Sequence, residues 1–207
     1  MLDARIRPLI DPPLNRLGQR LARAGVSANA VTLVGLALGV AAAVAIALDA
    51  PLAGLALILA SRLADGLDGA VARATQPSDF GGYLDITSDF LFYGLIPLAF
   101  IAAAPENGLA GGFLLASFYF NGATFLGFAI LAQKHGMEST ARGAKSLYFT
   151  GGLLEGTETI GFFVLLCLFP ALFIPLATAF AALCFLTATA RILLARQLFS
   201  HDRKDKT

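Results

Sequence analysis

The stretch SRLADGLDGAVARATQPSDFGGYLDITSDFLF, residues 61–92, places Asp65 and Asp68, then Asp85 and Asp89, inside two apolar runs joined by a polar turn. An ionised Asp near the middle of a membrane helix costs about 2.5 to 3.5 kcal/mol, so four together oppose insertion by about 10 kcal/mol. Such a cost demands compensation. The spacings are i,i+3 and i,i+4, which puts each pair on one helical face. Hard divalent cations such as Mg²⁺ take carboxylate and water oxygens, so the pattern reads as a membrane-embedded metal site.

Outward from that stretch, the chain has 207 residues, 57% of them hydrophobic and only 14% charged, with a mean hydropathy of +0.74. A soluble domain carries far more charge, and a polytopic all-α membrane protein follows. The net charge of +1 is uninformative, because position along the chain decides topology. Cys167 and Cys184 lie in apolar runs without metal-ligand spacing and read as packing residues. The arginines at 5, 7, 16, 20 and 23 stand too far from the first apolar run to form a cleavable signal.

Apolar runs long enough to cross a bilayer fall roughly at 29–49, 51–73, 83–104, 109–133, 148–169 and 171–197. Six transmembrane helices are expected. The clear loop cations lie before the first run, between the second and third, between the fourth and fifth, and after the sixth. By the positive-inside rule both termini and the carboxylate cluster then face the cytoplasm, across the inner membrane of a bacterial cell. Ahead of the first span, Pro12 and Pro13 are expected to open a short amphipathic helix with Leu14, Leu17 and Leu21 on one face and Arg16, Arg20 and Arg23 beside it. It suits an interfacial position, whether as a topology anchor or as one wall of the site. The organisation expected is an interfacial segment over 1–26, a six-helix domain over 27–198 and a polar tail over 199–207.

DGLDGAVAR at 65–73 and FGGYLDITSD at 80–89 resemble the signature of the CDP-alcohol phosphatidyltransferase family: two Asp, Gly, Ala, Arg, Gly and two further Asp at set spacing. Seven residues separate Arg73 from Gly81, one fewer than the family pattern. The resemblance implies transfer of a phosphatidyl group from CDP-diacylglycerol to a small alcohol, with CMP leaving. It implies Asp65, Asp68 and Asp85 as ligands of one Mg²⁺ or Mn²⁺, Asp65, Asp85 and Asp89 as ligands of a second, and Asp89 also as the catalytic base. It places Gly69, Arg73 and Ser78 against CDP, with the segment from Asn29 to Thr32 touching the same nucleotide. An Asn at a helix start also serves as a cap, so both readings of Asn29 stand. A homodimer is expected from the family and from the small residues of the third and fourth spans.

The acceptor is less legible. Lys134 and Arg191 would suit a phosphate-bearing alcohol, whereas Glu155 or Glu158 would suit an amino alcohol; a Glu–Arg191 ion pair is the structural alternative. A reversed use of the fold, with a CDP-linked small alcohol as donor and diacylglycerol as acceptor, fits the same residues. Intramembrane carboxylates also mark cation channels and transporters, but these cluster at one face instead of forming a relay, and Arg73 would obstruct a cation path. Four intact Asp residues argue against a catalytically silent scaffold. No nucleic-acid partner is indicated.

Overall fold

The computed structural model describes residues 3–136 and 156–200, with side chains from Ile10 onward. Among the described residues the regular structure is entirely helical: α1 (Asp3–Arg23), α2 (Ala28–Ala47), α3 (Pro51–Ala74), α4 (Asp79–Ala103), α5 (Gly108–Lys134), α6 (Gly156–Leu168) and α7 (Phe173–Phe199). Short 3₁₀ turns at Pro105–Asn107 and Pro170–Leu172 lead into α5 and α7.

The boundaries follow from local chemistry. Gly25, at φ +80°, ends α1: Val26 N–H bonds the Leu21 carbonyl and Gly25 N–H that of Ala22, so the chain turns straight into α2. The Ser27 hydroxyl accepts from Ala30 N at 3.2 Å and opens α2. Pro51 opens α3, and the Ser78 hydroxyl accepts from Gly81 N to open α4.

Helices α2, α4, α5 and α7 are long and apolar enough to cross a membrane, counting the 3₁₀ turns with α5 and α7. Two of the six expected spans do not meet that description. Helix α3, with 24 residues, has the length but carries Arg62, Asp65, Asp68 and Arg73; α6 offers 13 described residues. The expectation that Pro12 and Pro13 open α1 is corrected, because both lie inside a helix that begins at Asp3. Proline's fixed φ is compatible with helix, and what is forgone is the two N–H donors of those positions. Of the leucines expected on one face of α1, Leu14 is buried against Leu67 and Ala70 of α3, whereas Leu17 is 41% exposed; Gly18 takes its place in the contact with Ala70. The side of α1 that meets α3 thus runs through 14 and 18, one four-residue step along the helix. Helix α4 begins at Asp79, four residues ahead of the run expected from 83, because the Ser78 cap recruits the polar residues before it.

Helix α2 packs on both α3 and α4, α1 lies on α3, α5 pairs with α7, and α6 rests against α3. Gly39 of α2 explains the close approach to α4: a Cβ there would stand 2.8 Å from the Phe92 ring. Phe92 and Phe163 meet edge to face at 5.9 Å, and Phe162 stacks on Phe180 at 4.0 Å, so aromatic side chains join the α2–α4 layer to α6 and α7. Cys167 and Cys184 are buried in this core.

Candidate active site

Helix α3 carries Asp65 and Asp68 one turn apart, and α4 carries Asp85 and Asp89 one turn apart. The short connection between the helices, from Thr75 to Ser78, turns the chain back and brings carboxylates of both helices together. Asp65, Asp68 and Asp85 each present a carboxylate oxygen within 4.8 Å of the others'. Hard oxygen donors converging at that separation are what a small divalent cation takes, and among the described residues the trio fits one such ion. Asp89 stands beside them but is engaged differently.

A cleft of about 500 Å³ opens next to this trio, lined among others by Asn29, Thr32, Asp68, Gly69, Ser78 and Asp85. Its size falls in the range of small-molecule sites. Thr32 is buried, and its hydroxyl donates to Asp68 Oδ2 at 2.7 Å and lies 3.1 Å from the Ala28 carbonyl oxygen; this orients the most buried of the four carboxylates. The helix cap is Ser27 and not Asn29, which sits in the first turn of α2 with Oδ1 toward Gly81 at the cleft. Ser78 both caps α4 and lines the cleft. Arg73 does not line it. Its Nη2 instead donates to Asn15 Oδ1 of α1 at 3.0 Å, its Nη1 passing over Gly69 one turn earlier.

The residue that sequence reasoning passes over is Arg62. Its Nη1 donates to Asp89 Oδ1 at 2.6 Å and lies 3.3 Å from Asp65 Oδ1. Its Nη2 donates to Ser61 Oγ at 3.2 Å, and Ser61 in turn donates to the Gly35 carbonyl at 2.7 Å. The guanidinium stacks on Phe92 with Cζ 3.9 Å from the ring centre, and its side chain is only 11% exposed. One signal could have found it: a cation in an apolar helix, three residues before Asp65 and so on the same face. Read alone, that is an ordinary i,i+3 pair; the reach to Asp89 exists only across helices.

A sequence profile of CDP-alcohol phosphatidyltransferases matches residues 26–200. The chain belongs to the CDP-alcohol phosphatidyltransferase family. It is 51% identical over 193 residues to the inner membrane protein YnjF of Escherichia coli K12, covering 93% of this chain and 94% of that one. It is 42% identical over 90 residues to an archaetidylinositol phosphate synthase of Pyrococcus horikoshii, which covers 42% of this chain and 47% of the relative. The fold is similar to that of a Mycobacterium tuberculosis phosphatidylinositol phosphate synthase crystallised with CDP-DAG bound, at a TM-score of 0.57 and 22% identity over 89% of this chain and 90% of that one. The chain is accordingly an enzyme of the transferase class.

The family's motif, as it stands here, accounts for the carboxylates and much of the cleft; the residues expected to meet an acceptor are more dispersed. Lys134 is exposed in the last turn of α5, and Glu158 lies in the first turn of α6. Glu155 lies outside the described residues. Arg191, in α7, is buried, and its Nη1 donates to the Asn121 carbonyl and Oδ1, both at 2.9 Å, and to Thr124 Oγ1 at 2.8 Å. The adjoining Gly122 packs directly on the ring of Phe90, the neighbour of Asp89. Arg191 therefore anchors α7 to α5 beside the point where α5 meets Phe90 of α4.

Proposed function

We propose that this chain is a metal-dependent integral-membrane enzyme of phospholipid biosynthesis, transferring a phosphatidyl group from CDP-diacylglycerol to a small alcohol with release of CMP. The observation that carries the reading is the convergence of Asp65, Asp68 and Asp85 beside a cleft lined by Asn29, Thr32, Gly69 and Ser78. Carboxylates alone would repel a diphosphate. The site therefore requires cations, and Mg²⁺ or Mn²⁺ held by Asp65, Asp68 and Asp85, with a second ion drawing on Asp65, Asp85 and Asp89, would neutralise diphosphate charge and favour departure of CMP.

The chain's own residues do the rest. Thr32 holds Asp68 in a single orientation, and the small profile of Gly69 leaves room for the nucleotide against α3. Asn29 and Ser78 offer polar side chains to it, and Arg73, released from Asn15, supplies a cation for phosphate. Asp89 takes the proton of the acceptor hydroxyl as its oxygen attacks phosphorus; the bond from that phosphorus to the CMP oxygen breaks, and CMP carries the electron pair away. A phosphate-bearing polyol is the acceptor class that the archaetidylinositol phosphate synthases among its relatives favour, with Lys134 as an exposed cation and Arg191 as one that would exchange its Asn121 and Thr124 contacts for phosphate. Six crossings, counting α3 and α6, put both termini and the site on the cytoplasmic side, with α1 in the interface and a second copy of the chain as partner.

The test is a CMP-release assay on purified protein with Mg²⁺ or Mn²⁺, CDP-diacylglycerol and a panel of inositol phosphate, glycerol phosphate, inositol and serine. A parallel series uses CDP-linked alcohols with diacylglycerol. CMP release from CDP-diacylglycerol with one phosphate-bearing acceptor is expected. Silence with every donor and acceptor would remove the assignment, and release only from CDP-linked alcohols would reverse the donor.

A further inference from the structure

Arg62 is absent from the motif that led to the site, yet among the described residues it makes the only ion pairs of Asp65 and Asp89. A single nitrogen, Nη1, stands between Asp89 Oδ1 at 2.6 Å and Asp65 Oδ1 at 3.3 Å. A divalent ion held by those two carboxylates would draw on the oxygens that Nη1 engages and would face its positive charge. The two cations are alternatives for one place.

We propose that Arg62 is a positioning residue that competes with the second divalent cation for Asp65 and Asp89, so that this ion binds only as the guanidinium gives up Asp89. The inference rests on the reading of those carboxylates as ligands of a second ion. The surroundings are built for such an exchange. Phe92, fully buried, supports the guanidinium from its ring face, and Nη2 holds Ser61, which is pinned to the Gly35 carbonyl. These two contacts do not involve the carboxylates and can retain the side chain once Nη1 yields. The Nε–H is buried without an acceptor, so no bond from that atom opposes the motion. Before the ion arrives, the guanidinium offsets the repulsion between Asp65 and Asp89 and keeps Asp89 pointed at the cluster. The first trio shares Asp65 with this exchange, whereas its other two members, Asp68 and Asp85, form no ion pair with Arg62.

The experiment is a Mn²⁺ titration of the full chain in nanodiscs, following free Mn²⁺ by electron paramagnetic resonance, for wild type, Arg62→Met and Arg62→Lys. Two sites are expected in the wild type. In Arg62→Met the weaker Kd should fall at least tenfold, roughly 1.4 kcal/mol, while the tighter one, which shares only Asp65 with Arg62, shifts less. Arg62→Lys, which keeps the charge but loses the planar fork, should fall between. Should Arg62→Met fail to fold, the Lys variant carries the comparison alone. A merely structural Arg62 predicts the opposite sign, since loosening the cluster weakens metal binding. A weaker-site Kd that is unchanged or rises overturns the competition and leaves the metal reading standing; a wild type that binds no Mn²⁺ overturns both.

Discussion

Removing one hydroxyl should reveal whether Asp68 is held for an ion. Thr32 is 7% exposed, and its Oγ1 lies 2.7 Å from Asp68 Oδ2. Valine replaces the hydroxyl by a methyl of nearly the same volume, so Thr32→Val deletes the bond without opening a cavity. A hydrogen bond to a charged group contributes about 1.5 to 3 kcal/mol, and that range corresponds to roughly 10- to 100-fold in a binding constant. Independently, loss of a partner that orients a metal ligand typically costs about 10- to 100-fold in metal affinity. The two estimates coincide. Part of the loss is moderated because the same hydroxyl also lies 3.1 Å from the Ala28 carbonyl, which competes for its proton. The expected result for Thr32→Val is therefore a rise of about tenfold in the Kd of the tighter Mn²⁺ site, read by the same titration. Thr32→Ser, which keeps the donor, should remain near wild type. A Thr32→Val protein that folds normally and binds Mn²⁺ within a factor of about two of wild type would refute the claim that this bond prepares Asp68 for metal.

Asp89→Asn should retain nucleotide and tighter-site metal binding while turnover falls by about 10²- to 10⁴-fold in the CMP-release assay, the contribution of a positioned general base; full turnover would take that role from Asp89. Chelation by EDTA should abolish CMP release, and added Mg²⁺ or Mn²⁺ should restore it; activity that persists in the chelator would sink the metal requirement. Gly39→Ala places a Cβ 2.8 Å from a fully buried Phe92 ring, a clash that forces α2 from α4 and should lower stability by about 1 to 3 kcal/mol, measured as the thermal midpoint in detergent. An unchanged midpoint would mean that the ring moves aside freely.

Much of the architecture was legible because its signals are local. Apolar runs interrupted by Pro51, Ser78, Pro105 and Pro170 mark helix starts through missing donors and capping hydroxyls, and the starts fall at or near those residues. The start of α1 was misread because proline at a first turn and proline inside a helix present the same φ to a reader of sequence. The nucleotide-side residues were legible only through the resemblance, and the structure distributes them unevenly: Asn29, Thr32, Gly69 and Ser78 line the cleft, whereas Arg73 turns to Asn15. No sequence signal could announce that pairing, since 58 positions separate the two residues.

The spacing of Asp65 with Asp68 and of Asp85 with Asp89 was determined by sequence alone, because a helix converts i,i+3 and i,i+4 into a shared face wherever it sits. The same holds for the apolar character of the helices around them. Which carboxylates meet was decided in three dimensions: Asp65, Asp68 and Asp85 converge, while Asp89 is taken by Arg62, 27 residues away. The physical reason is that a charge buried between helices is satisfied by whatever the packing brings within reach, and the packing was set by Gly39, Phe92 and the turn at 75–78, none of which carries charge.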